Sequence, residues 1–258
     1  MIISEIKPDN SPVTFIIKDF PDGIISLGII ITFLVSLIAV FVFRKFLDRK
    51  SVGSLGLRLP PYPYDPATGF FLGPFLLGIG ATILYLNHNL EWIDFSIDSR
   101  ELVFSLGLML IVAIGEELVF RGYLLNNLME SLNKYIALVI SAAVFALVHG
   151  TNPDITDLAT LNLFLGGCLL GINYIYTRNL WFAILFHFTW NFFQGPVYGF
   201  KVSGLHLPGI LQQELHGNPI FTGGAFGFEG SVVATVLCCS CLFLLFLAYE
   251  KKYTTITT

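Results

Sequence analysis

The chain has 258 residues, of which 55% are hydrophobic and only 12% charged. A soluble domain carries about 25% charged residues, so a water-soluble globular fold is excluded. The net charge of −4, with no basic tail, argues against a nucleic-acid partner.

Several apolar runs are each long enough to cross about 30 Å of hydrocarbon, and the period-2 alternation of membrane strands is absent. Residues 1–22 carry Lys7, Asp9, Lys18, Asp19 and Asp22 and no continuous apolar core, so no signal peptide is expected there. Span 1 is expected at about 23–43. It ends in Arg44, Lys45, Arg49 and Lys50, the densest basic cluster, which the positive-inside rule places in the cytoplasm. A Pro-, Ser- and Gly-rich loop at 51–66 leads to span 2 at about 69–86. Glu91, Asp94 and Asp98 then mark an acidic outer loop.

Span 3 begins near Glu101. A turn at Ser131, Asn133 and Lys134 leads into span 4, about 135–149, which Gly150-Thr151-Asn152-Pro153-Asp154 breaks. Spans 5 and 6, about 158–176 and 180–193, turn at Thr177-Arg178-Asn179; span 6 has apolar sequence as far as 200. A Gly/Pro-rich outer loop at 201–229 precedes span 7 at about 231–249, closed by Lys251 and Lys252. Every short basic loop then falls on one face. The expected fold is all-α: one integral membrane domain over 1–258, a polytopic bundle of seven to eight spans. An eighth helix would come from 1–22 or from 201–229. Cys168, Cys238, Cys239 and Cys241 lie inside apolar runs and read as packing residues, with no disulfide framework and no structural zinc spacing.

Three places in these spans carry groups that hydrocarbon does not tolerate. They are Glu116, Glu117 and Arg121 in span 3, His149 at the end of span 4, and His187 with Asn191 in span 6. An ionisable group at mid-bilayer costs about 2.5–3.5 kcal/mol on insertion scales. Spans 3 and 4 form a hairpin, with Glu116 and His149 each about 16 residues from its turn, so equal rise brings them to one depth. His187, about nine residues into span 6, lies roughly 13 Å below its own turn. All three belong to the cytoplasmic half, and a shared polar cavity open to the cytoplasm is expected. Glu117 and Arg121, four apart, share a helix face and can pair. Glu116 is turned about 100° away and stays free.

A desolvated carboxylate beside a histidine can activate water. Glu116 and His149 fit that task, and His187 with Asn191 can offer N–H donors to a developing oxyanion. That combination describes peptide hydrolysis without a covalent intermediate or a cofactor. The alternative chemistry is a zinc site using Glu116, His149 and His187 as ligands, although no His-Glu-x-x-His helix is present. No Gly-x-Ser-x-Gly supports a serine nucleophile. A proton-coupled transporter would call for repeated halves, and none are seen.

Glu116-Glu117-x-x-x-Arg121, Phe145-x-x-x-His149 and His187-x-x-x-Asn191, in this order on successive spans, resemble the signature motifs of the CAAX-protease and bacteriocin-processing family. The likeness is strong over about 112–195, inside an active-site core of about 101–195, and 51–60 and 218–230 are similar to bacterial members. The resemblance implies an intramembrane endopeptidase of the CAAX-processing type, reached from the cytoplasm. Glu116 and His149 would activate water, His187 and Asn191 would stabilise the oxyanion, and Glu117 and Arg121 would support the site. It implies a hydrophobic or lipid-modified peptide substrate, surrounding membrane lipids, and a bacterial cell membrane as location. Some relatives act instead as bacteriocin-immunity or membrane-protein partner factors, a non-catalytic alternative.

Overall fold

The computed structural model describes residues 23–58 and 64–254, with side chains for 27–58 and 64–253. The readings made on 1–22 and on 59–63 lie outside the described residues. The chain is an all-α bundle with one small hairpin-like sheet. Its elements are α1 (Gly23–Val42), α2 (Tyr64–Leu86), β1 (Leu90–Phe95), α3 (Ser99–Glu117), α4 (Lys134–Val148), α5 (Asp157–Ile172), α6 (Trp181–Phe192), β2 (Leu211–Leu215) and α7 (Val232–Thr254). β1 and β2 pair antiparallel, with an irregularity between Trp92 and Asp94.

Among the described residues, six helices are long and apolar enough to cross a membrane: Leu27–Leu47, Tyr64–Leu86, Ser99–Leu128, Lys134–Thr151, Asp157–Thr177 and Val232–Tyr253. The other expected span is α6, continued by a wide turn at Phe193–Val197. It is shorter than a full crossing and sits inside the bundle, most of its residues buried. The 201–229 segment adds no spanning helix. It holds β2 and a single turn at Pro219–Thr222.

Local chemistry sets the helix starts. Asp98 accepts hydrogen bonds from the backbone N–H groups of Arg100 and Glu101 at the head of α3. Asn133 does the same for Tyr135 at α4, and Thr156 for Ala159 at α5.

Small residues set how closely the helices approach. Gly69 and Gly73 let α2 lie directly on α6: a Cβ on Gly69 would sit 2.4 Å from the Phe182 carbonyl oxygen, and one on Gly73 would sit 2.8 Å from the Trp190 nitrogen. Gly167 brings α5 against Ala142 of α4, where an added Cβ would come within 2.9 Å of the Ala142 Cα. α1 packs on α3 through Phe33 against Gly115. Its outer face, including Leu34, Val35 and Ile38, is exposed apolar surface of the kind lipid covers.

The two ends of the bundle differ in charge. At one end Lys50 pairs with Glu130, and the Arg178 Nη1 donates to Asn126 Oδ1 at 2.6 Å. Tyr176 there donates to Glu250 at 2.6 Å. These contacts join the end of α1, the α3–α4 turn, the α5–α6 turn and the end of α7. That end also carries Arg44, Lys45, Arg49, Lys134, Lys251 and Lys252. The opposite end is formed by the β1–β2 pair, the α4–α5 loop and the 201–230 segment. Its carboxylates include Glu91, Asp94, Asp98, Asp154, Asp157 and Glu214.

Candidate active site

The first polar feature is a carboxylate that two helices share. Glu117 is fully buried at the end of α3, where the helix loosens into a wide π-type stretch, Leu118–Leu125. Such bulges occur often at functional sites. The Arg121 Nη1 donates to Glu117 Oε1 at 2.8 Å. The wider turn keeps residues four apart close to one face, so the pair survives the change of helix type. The Arg121 Nη2 donates to the Gly167 carbonyl at 2.9 Å, and its guanidinium carbon lies 4.6 Å from the centre of the Phe145 ring. α3, α4 and α5 are thereby tied together around one buried cation.

The His187 Nδ1 donates to the same Glu117 oxygen at 2.9 Å. This fixes the imidazole of α6 against α3. The His149 Nδ1 lies 2.7 Å from the Phe145 carbonyl oxygen. A carbonyl only accepts, so Nδ1 carries the proton and Nε2 of the neutral ring is an acceptor. Both imidazoles turn Nε2 toward Glu116. The Glu116 Oε2 is 3.7 Å from His149 Nε2 and 3.9 Å from His187 Nε2. Those separations are too long for direct hydrogen bonds, and a water-sized group can bridge them. Glu116 Oε2 itself has no hydrogen-bond partner.

The structure therefore brings Glu116, His149 and His187 to one point, with Glu117 and Arg121 behind His187. Asn191, one turn beyond His187, is buried and lines the same cavity. Among the described residues no set of three or more His, Cys, Asp or Glu side chains is spaced to hold a metal ion.

The cavity has a volume of about 630 Å³, in the range of ligand pockets. Its walls are largely apolar, from Phe33, Leu108, Val112 and Phe145 among others. Its rim includes Asn152, Ser203, His206 and Glu229, residues that carried no assigned role in the sequence. Glu229 fastens this rim. One carboxylate oxygen accepts from the Ser203 N–H and hydroxyl, both at 2.9 Å, and the other accepts from Trp190 Nε1 at 3.2 Å. Asn152 Nδ2 donates to the Ser203 carbonyl at 3.1 Å, joining the α4–α5 loop to the same segment.

The cavity was expected to open toward the basic loops, and the described residues that line it lie toward the other end of the bundle. Its lining comes from the first half of α1, from 202–207 and from Glu229, and none of it from the loops at the basic end. The physical reason is that α4 stops at His149, after only 15 residues (Lys134–Val148). The α4–α5 loop and the 202–207 segment reach the space above it, while the basic end is filled by a packed apolar layer that includes Leu55, Leu118, Leu125, Tyr174 and Leu180.

Residues 98–193 match the family described as Type II CAAX prenyl endopeptidase Rce1-like. The matched stretch runs from the cap of α3 to the end of α6 and contains all three motifs, so the resemblance read from them is borne out. A Bacillus subtilis (strain 168) protein, YdiL, provisionally named a membrane peptidase, is 26% identical over 176 residues, 64% of this chain and 68% of that one. No solved structure matches.

Proposed function

We propose that this chain, a multi-pass membrane protein sharing its helical core with type II CAAX prenyl endopeptidases, is an intramembrane endopeptidase. The observation that carries the reading is the convergence of Glu116 with the Nε2 atoms of two histidines from different helices at the floor of a cavity. Glu116 Oε2, lacking a partner, accepts a proton from a water held between it and His149. The hydroxide attacks the scissile carbonyl, and the proton passes on to the leaving amine. His187, as imidazolium, and Asn191 donate to the carbonyl oxygen as it takes up negative charge. Glu117 sits where it balances the His187 charge, and Arg121 balances Glu117. The apolar walls suit a hydrophobic or lipid-modified peptide.

The test is cleavage of a hydrophobic peptide library by purified protein and by Glu116→Gln. The substitution keeps shape and removes the base, so the rate should fall by about 10²–10⁴ with an unchanged melting temperature. Normal turnover in Glu116→Gln sinks the reading. Addition of a strong chelator should leave the wild-type rate intact; its loss would restore the zinc alternative.

A further inference from the structure

The two α6 side chains that line the cavity are held in different ways. The His187 Nδ1 is fixed by Glu117 at 2.9 Å. The Asn191 amide, buried one turn further on, has no hydrogen-bond partner among the described residues. Its direction is therefore set by the rotation of α6 about its own axis. The neighbouring residue, Trp190, grips that rotation. The Trp190 Nε1 donates to Glu229 Oε1 at 3.2 Å, and its ring packs 6.3 Å from that of the fully buried Phe228. Trp190 is also three residues from His187, so a hold on the indole bears on the whole turn that carries both polar groups.

Glu229 is a firm support for this hold. Its carbonyl accepts from the Asn162 Nδ2 of α5 at 2.7 Å. The same amide nitrogen donates to the Ser231 carbonyl at 2.8 Å, and Asn162 Oδ1 accepts from the Thr235 hydroxyl of α7 at 2.7 Å. The backbone of Glu229 is thus fixed to α5 and α7, while its side chain reaches across to α6. Its second oxygen accepts from the Ser203 N–H and hydroxyl, which braces the carboxylate from the other side. Hydrogen bonds to a charged acceptor are the stronger kind. We propose that Glu229 is a positioning residue of the site: through Trp190 it sets the rotation of α6 that aims Asn191 at the developing oxyanion. The catalytic consequence rests on the endopeptidase reading, and the hold on Trp190 does not.

The experiment is a double-mutant cycle on peptide cleavage by the purified full chain, with Glu229→Ala, Asn191→Ala and the two combined. Glu229→Ala should lower kcat by about 10², the cost of a misplaced group, and leave KM nearly unchanged. Combined with Asn191→Ala, it should lower kcat no further than Asn191→Ala does alone, because no amide is left to aim. A full multiplication of the two losses overturns the proposal, and so does a wild-type kcat in Glu229→Ala or an effect confined to KM. Should Glu229→Ala fail to fold, Trp190→Phe removes the donor from the α6 side and should give the same kcat loss and the same lack of additivity. A second arm needs no turnover. With Trp92→Phe and Trp181→Phe, Trp190 is the sole tryptophan, and adding Glu229→Ala should shift its fluorescence emission; an unchanged spectrum refutes the hold. A wild type that cleaves nothing removes the endopeptidase reading and the catalytic half of this proposal with it, and the emission arm then decides the hold on α6 by itself.

Discussion

At the residue scale the question is why two carboxylates stand side by side in hydrocarbon. Glu117 is compensated by Arg121 and His187, whereas Glu116 Oε2 has no such partner. The Glu117–Arg121 pair was legible because a spacing of four survives in any helix of this type. The third member was not, because His187 is 70 residues further along and only packing brings it there. The same limit hid Glu229, whose contacts with Ser203 and Trp190 cross separations of 26 and 39 residues. Three predictions belong here. Glu117→Gln leaves a fully buried guanidinium uncompensated and should cost about 3–5 kcal/mol, read from thermal melting in detergent. Glu117→Gln with Arg121→Met removes both charges and should restore much of that loss, so the two substitutions are far from additive. Asn191→Ala should lower kcat by about 10²–10³ with little change in KM, as the proposed donation to the developing oxyanion requires. A KM effect alone would reduce Asn191 to substrate binding.

At the element scale, the position of α6 decides whether His187 and Asn191 meet Glu116. α6 is held by direct backbone approach to α2 at Gly69 and Gly73. Two glycines four apart in an apolar run signal such an approach in a sequence, but they do not say which helix comes near. Gly73→Ala places a Cβ 2.6 Å from Thr189 Oγ1 and 2.8 Å from the Trp190 nitrogen. α6 must move away, at a cost of about 1–3 kcal/mol. Peptide cleavage should then fall more than stability does, because the displacement is passed to the turn carrying His187 and Asn191. The measurement is the cleavage rate at a temperature where the variant is still fully folded. A rate equal to wild type there would show that α6 position is not set by this contact.

At the scale of the whole molecule, apolar runs and basic loops gave the bundle and its two differently charged ends, and counting along the helices brought Glu116 level with His149. Seven apolar segments, six of them long enough among the described residues to cross a membrane, and a common polar region followed from local pattern. The lining of the cavity by 202–207 did not, since it depends on α4 ending at His149 and on the 202–207 segment folding over that end. Gly166 offers a way to test the chamber as a whole. It lines the cavity from α5, and a Cβ added there meets nothing within 4 Å. Glycine inside a helix is about 1 kcal/mol worse than alanine, so a larger residue at this position should keep or raise the melting temperature. Gly166→Leu should nevertheless put a branched side chain into the space that the proposed peptide substrate would occupy. Cleavage of long hydrophobic peptides should drop through a raised KM, while the shortest cleavable peptides lose less. Unchanged kinetics for every length, in a variant of normal stability, would mean that substrate does not pass through this chamber to reach Glu116.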